Sequence, residues 1–290
     1  MKKFKFIIIP TVFMLLIAAC SKDITLDIPE PEIKIVIEGY IENGKNPYII
    51  VTKNTPYFGT LDSATLVNLL VQDAVVTVSD GNITAPCAFT FDPTIFPYFL
   101  YKTNAIVGEV GKTYYLSVTA NGKTYTAQTT IPGLNPLDSL WYKSETNLDS
   151  LGYIWGHGND PDTLGNYYRL LAKRIGKDDT YVATFPSSMD DKFINGVSFD
   201  FNLSRGAKSN SQALDDNNIE AGFFKRGDTI VVKFCGIDKA HYLFWRTAEE
   251  IIYGGSNPFT NPISVKTNIS NGGLGIWGGQ NAVYDTIYAQ

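Results

Sequence analysis

The sequence is poor in the side chains that most often carry chemistry. Its 290 residues hold two histidines and three cysteines. Cys20, Cys87 and Cys235 lie far apart and form no Cys-x-x-Cys pair, so a structural zinc site is not signalled. No Glu follows His241, which removes the His-Glu-x-x-His pattern of zinc proteases, and His157 stands alone. A Gly-x-Ser-x-Gly nucleophile elbow is also missing. Positive charge is scarce as well: 24 Lys and Arg face 29 Asp and Glu, for a formal net charge of −5. Neutralising phosphates takes clustered Lys and Arg, and no basic run exists beyond the first five residues, so nucleic acid is not an expected partner. After residue 19 no apolar run approaches the roughly 20 residues needed to cross a bilayer. No motif points to a cofactor.

What is present begins at the N-terminus. Lys2, Lys3 and Lys5 precede an apolar stretch from Phe6 to Ala19 that is too short to span a membrane. A positive start, a short apolar core and small closing residues make 1–19 a signal peptide. The run ends in Ile17-Ala18-Ala19-Cys20, which resembles the bacterial lipobox. That chemistry requires cysteine, because the nucleophilic thiolate becomes the thioether that carries a diacylglycerol. Cleavage before Cys20 then frees an amine for a further acyl chain. Several chains hold firmly, at about 0.8 kcal/mol per buried methylene. A lipid anchor on Cys20 is therefore expected, with the chain attached to a membrane rather than spanning it. Ser21-Lys22-Asp23, with Asp27, resembles the short charged export signal that places lipoproteins of one large Gram-negative group on the outer leaflet of the outer membrane. An ordinary solvated tether is the competing reading of the same residues. Residues 20–32, with Pro29 and Pro31, read as that extended tether. Removing residues 1–19, which include three lysines, moves the formal charge from −5 to −8.

The body reads as mainly β. Ile33, Ile35 and Ile37 alternate with Lys34, Val36 and Glu38, and "PYIIVTK" (47–53) and "AVVTVSDG" (74–81) continue in the same style. The clearest local signal is "TYYLSVTANGKTYTAQTTI" (113–131). Two β-rich arms flank Asn121-Gly122, the pair that supplies two positive-φ residues to a type I′ turn. Tyr114, Leu116 and Val118 share one face of the first arm. Strands at this spacing suggest an immunoglobulin-like β-sandwich over 33–132. "PGLNPLDSL" (132–140) marks a boundary, and 133–290 reads as a second β-rich domain.

In that second part "YYRLLAKR" (167–174), "DTIVVKFCG" (228–236) and "AVYDTIYA" (282–289) are strand-like, and 202–218 reads as a long polar loop. One helix is predicted near 238–252, capped by Asp238, with Phe244, Ala248, Ile251 and Ile252 on its inward face. The tail from Asn257 is rich in Asn, Gly and Pro.

Few residues nominate a site. Asn159, Asp160, Asp162 and Asn166 offer oxygen ligands to calcium, but the glycine spacing and closing Glu of an EF-hand are missing, and a solvated turn fits better. Trp141, Trp155, Trp245 and Trp277 are either core or stacking platforms for a sugar. "DPTIFPYFLY" (92–101) is loop-like, proline-broken and aromatic, a suitable place for a protein contact. Asp followed by Ser or Thr and a small or aliphatic residue occurs six times, at Ser63, Ser139, Ser150, Thr163, Thr229 and Thr286, against about one expected from composition. This resembles an O-glycosylation sequon of exported bacterial proteins. A preference of Asp and Ser/Thr for turns and strand starts is the other explanation.

With these stretches in view, and with "NPFTNPISVKTNISNGGLGIWGG" (257–279) the most specific of them, the mature chain resembles a family of outer-membrane lipoproteins known only as domain of unknown function 4249. The resemblance implies a location and neighbours, commonly TonB-dependent receptors, and no reaction. The expected function is that of a surface-exposed outer-membrane lipoprotein, an accessory binding or structural subunit of a β-barrel complex, either a TonB-dependent receptor or the barrel-assembly machinery. A glycan or peptide is its candidate ligand. The alternative is a surface hydrolase of glycans or peptides that uses carboxylates in 133–290.

Overall fold

The alternation that begins at Ile35 is realised as β1 (Ile35–Glu42), which buries Ile35, Ile37 and Ile41 on one face. A computed structural model describes residues 32–55, 68–206, 222–254 and 264–290. β1 turns back into β2 (Tyr48–Lys53), whose Ile49 and Val51 bury on the same side. β3 (Val75–Ser79) and β4 (Thr84–Phe91) are joined by an Asx turn, in which Asp80 Oδ1 accepts from the amides of Asn82 and Ile83 at 2.9 Å each. After the short β5 (Phe99–Lys102), β6 (Thr113–Ala120) and β7 (Lys123–Thr130) form the expected hairpin. Asn121 and Gly122 stand at φ 51° and 73°, which is what a type I′ turn demands. Tyr114, Leu116 and Val118 are buried, as their spacing requires.

The boundary region at 132–133 falls between β7 and β8 (Ser139–Glu145). β8 pairs with β9 (Leu148–Asn159), and β12 (Ser198–Leu203) and β13 (Phe224–Lys225) complete a four-stranded sheet around β9. β10 (Tyr167–Arg174), β11 (Val182–Asp190) and β14 (Thr229–Ile237) belong instead to the large sheet. Its last strand is β15 (Leu274–Tyr288), which runs parallel to β1 on one side and antiparallel to β14 on the other. The full order is β11-β10-β14-β15-β1-β2-β5-β4-β3-β6-β7, so 33–132 and 133–290 share one eleven-stranded sheet. Ile33 to Gln290 form one compact unit.

The glycine-rich tail is thus partly a central strand, longer at its N-terminal end than "AVYDTIYA" alone suggests. Its glycines hid it: they weaken strand propensity but allow close approach to neighbouring groups. Trp277, within that run, is fully buried and donates Nε1–H to the Tyr114 carbonyl at 3.1 Å, which ties β15 to β6 near the far end of the sheet order. Burying a side chain of this size contributes about 1.5–3 kcal/mol. On the same face farther along, Leu170, Val232 and Phe234 pack against Ile154, Leu203 and Phe224 of the smaller sheet. The architecture is mainly β and sandwich-like.

The opposite face of the large sheet carries α1 (Lys239–Gly254), the one long helix among the described residues. Asp238 caps it as expected, accepting from the His241 amide at 2.9 Å. The same carboxylate also accepts from the Thr130 amide at 3.1 Å and from the Thr129 hydroxyl, which ties the helix start to the end of β7. Near the other end the buried Glu249 accepts from the Ser187 hydroxyl and amide on β11. The inward face differs from the predicted one. Ile251 and Ile252 are 41% and 66% exposed, and His241, Trp245 and Glu249 point at the sheet instead. The sheet offers this face an arginine, serines and backbone rather than apolar side chains, so polar pairing decides the helix rotation.

Candidate functional site

The helix-facing side of the sheet is polar at its centre. The pleat places Glu38, Tyr40 and Glu42 of β1 on that side, with Tyr48 of β2 opposite Tyr40, and Arg169 of β10 opposite Cys235 of β14. Two helix residues one turn apart, His241 and Trp245, cover part of this floor. The Tyr40 ring lies 5.5 Å from His241, and the Arg169 guanidinium carbon lies 3.6 Å from the centroid of Trp245. Close approach at one end depends on Gly278, since a Cβ there would sit 2.7 Å from His241 Nδ1.

Glu38 lies in a central strand, and its side chain is exposed. Its surroundings raise the Glu38 pKa, chiefly by removing bulk water, against the lowering effects of the Tyr40 hydroxyl 3.1 Å away and of Arg169. Burial likewise raises Tyr40 and Tyr48.

Several polar atoms here lack partners. Arg169 Nε, Trp245 Nε1 and His241 Nε2 are buried without a hydrogen bond. His241 has its pKa pushed down to about 3, first by burial and then by the charge of Arg169. The ring is therefore neutral at ordinary pH. Its Nδ1, 3.3 Å from the Gly279 carbonyl oxygen, carries the proton by the logic of that contact, which leaves Nε2 as an acceptor. By contrast, Glu42 on the same face is fully engaged, by Lys233 at 2.7 Å, Gln280 at 2.8 Å, Tyr284 at 2.6 Å and Lys45 at 2.6 Å.

The residues singled out from sequence are mostly elsewhere. Cys20 and Ser63 lie outside the described residues. Ser139, Ser150, Thr163 and Thr286 are exposed, and Thr229 is half-buried beside Asp228, whose carboxylate holds Lys177 at 2.6 Å. Cys87 and Cys235 are free, buried thiols, each pushed up to about 11 by burial. His157 is on β9 with Nδ1 2.6 Å from Asp200. Asp160 turns inward to accept from the Tyr168 hydroxyl, while Asp162 meets Asn195 at 3.3 Å, so the suggested calcium ligands are spent on different partners. Trp141 and Trp155 stack across β8 and β9 with centroids 6.2 Å apart. A cleft of about 360 Å³ lies nearby, lined by Trp155, Leu170, Met189, Phe201 and Leu203 among others.

The aromatic run at 92–101 is an exposed patch. Phe91, Phe96, Tyr98 and Phe99 are 59%, 50%, 45% and 38% exposed. They touch one another, with centroids 5.3 Å apart for Phe91–Phe99 and 5.5 Å for Phe96–Tyr98. The loop is fixed by Asp92, whose amide donates to Tyr98 O at 2.7 Å and whose carboxylate takes Lys102.

The described residues thus include a polar sheet face beneath α1 and an exposed aromatic tip, and the sequence falls within a known family. Over residues 21–284 it matches the family described as Domain of unknown function (DUF4249). The chain belongs to that family. None of the curated proteins matches it. Glu38, Tyr40 and Arg169 escaped the reading from sequence, which offered Trp245 only as core or as a platform for a sugar. The available signal was the Glu38-x-Tyr40-x-Glu42 alternation, which gives an otherwise isoleucine-rich strand a polar second face.

Proposed function

We propose that this protein is a surface-exposed outer-membrane lipoprotein, held by acyl chains on Cys20, that serves as an accessory binding or structural subunit of a β-barrel complex. The barrel is a TonB-dependent receptor or part of the barrel-assembly machinery. The carrying observation is the aromatic tip between β4 and β5. Large aromatics dominate protein–protein hot spots, and a rigid loop presents them with little ordering cost. A contiguous exposed apolar patch of this kind is a site for a partner. The strands β1 to β7 are read as an immunoglobulin-like sandwich that presents the tip. The exposed Ser139, Ser150, Thr163 and Thr286, with Ser63 and Thr229, are candidate O-glycan carriers on such an exported surface.

Hydrolysis by carboxylates of 133–290 has less support. Four buried carboxylates there are committed to structure: Asp178 to Arg174, Asp191 to the amides of Gly165 and Asn166, Asp228 to Lys177, and Glu249 to Ser187, while a fifth, Asp160, is held by the Tyr168 hydroxyl through one oxygen only.

A photo-activatable residue at position 96 or 98, illuminated in native membranes, tests the assignment. The expected result is an adduct with an integral β-barrel protein, absent when the probe is at an exposed site remote from the tip, such as Thr163. Recovery of only uncross-linked protein from both tip positions contradicts it.

A further inference from the structure

We propose that the cleft between β11 and β12 binds a neutral glycan, with Trp155 as its stacking platform and Asp200 and Asn202 as partners of its hydroxyls. This deepens the binding reading above, resting on it only in that the protein holds a ligand at all. The edge strands β11 and β12 meet at one bridge, Phe185 with Ser204, and part beyond it around the cleft. Its volume of about 360 Å³ falls within the roughly 300–1,000 Å³ of small-molecule sites. Leu170, Met189 and Leu203 give it an apolar lining, and Trp155, Asp200 and Asn202 a polar and aromatic one. The register explains the second set. Trp141, Trp155 and Asn202 form one row across β8, β9 and β12, and Ser139, His157 and Asp200 form the next. Directly opposed residues share a face, and the alternate positions, Leu140, Ile154 and Leu203, supply the core. Both rows therefore project away from the core, where Asp200 and Asn202 are exposed and Trp141 is 36% exposed.

These groups are held in place yet keep bonding capacity. Trp141 stacks on Trp155 with centroids 6.2 Å apart, and Lys143 Nζ stands 5.4 Å from the Trp155 ring, so the indole is positioned before anything binds. His157 Nδ1 fixes Asp200 through Oδ1 at 2.6 Å, which leaves Oδ2 to accept. The Asn202 amide has no hydrogen bond within the described residues and offers both donors and an acceptor. A pyranose ring matches this set. Its C–H face is apolar and packs on an indole, while its rim of adjacent hydroxyls suits a planar carboxylate and amide. Charge points to a neutral sugar, because the carboxylates of Asp138 and Asp200, 51% and 57% exposed, both border His157 and repel anions. A peptide added as a strand would need the open edge of β12, which the bridge at Ser204 interrupts.

The test uses the full mature chain in mild detergent without any barrel, labelled with 5-fluorotryptophan. The resonances of its four tryptophans are assigned by Trp→Phe substitution one at a time. Cellopentaose, mannopentaose, maltopentaose and xylopentaose are titrated beside trigalacturonate and N-acetylpentaalanine amide, at constant ionic strength. The expected result is a saturable shift of Trp155 with at least one neutral sugar, while Trp245 and Trp277 stay put. Asn202→Ala, at an exposed site, is expected to weaken that binding about fivefold, the loss of one hydrogen-bonding group. Trp155→Ala, followed at Trp141, is expected to weaken it by more than about tenfold. If the tryptophan variant does not fold, Asn202→Ala decides. No shift with any neutral sugar, a shift that Asn202→Ala leaves unchanged, or tighter binding of trigalacturonate or of the peptide overturns the proposal. Failure here leaves the cross-linking result at the tip unaffected, so the two readings fail separately.

Discussion

His241 shows most clearly how one residue couples this fold to its surroundings. It is fully buried, and its pKa falls from about 6.5 in an unfolded chain to about 3 in the fold. Below pH 6.5 the unfolded chain therefore takes up a proton that the folded chain refuses until about pH 3. Stability is complete above that window and is lost as pH falls through it, at about 1.4 kcal/mol per pH unit. Between pH 7 and 5 this residue alone is expected to cost about 2 kcal/mol. Urea denaturation of wild type and His241→Gln at both pH values measures it: the variant should lack that share of the pH dependence, whatever its absolute stability. Identical pH slopes would show that His241 is not buried neutral. The sequence offered His241 only as a histidine early in a helix. Its chemistry comes from Gly278, which lets the ring approach the sheet, and from Arg169, more than 70 positions upstream. Neither neighbour is visible from the local pattern.

At the scale of elements, turns and caps were legible and helix rotation was not. Asn121-Gly122 specified its hairpin because two positive-φ positions are rare and the residues that adopt them are few. Asp238 was readable as a helix start for a similarly local reason. The inward face of α1 was misread because apolar spacing nominated Phe244, Ala248, Ile251 and Ile252, while the sheet presented partners for His241, Trp245 and Glu249. Asp238 holds the helix in that rotation, since it caps α1 and accepts from Thr129 and Thr130 at once. Asp238→Ala should therefore cost about 2 kcal/mol, the upper end for a cap, because the strand amide and hydroxyl are orphaned too. A denaturation midpoint shifted by under about 0.5 kcal/mol would mean that packing at Trp245 and Glu249 positions α1 without the cap.

At the scale of the whole molecule, β15 is decisive. Residues 274–288 close the sheet between β1 and β14, so the first and last described strands are neighbours. Such a parallel, distant pairing leaves no local mark, and the glycines of "NGGLGIWGGQ" disguise it further. The mainly β class was legible because alternation and β-branching recur through most of the chain. The single sheet joining both halves was not. This one body presents the aromatic tip on a chain whose N-terminal cysteine is proposed as its anchor. The central claim is that it works beside a barrel. Tagged protein extracted from native membranes in gentle detergent, then separated by size and identified by mass spectrometry, tests that most directly. The expected result is a stable complex with an integral outer-membrane β-barrel protein, weakened by a Phe96→Ser, Tyr98→Ser double variant. Elution of the wild type as a lone monomer under the mildest extraction would contradict it.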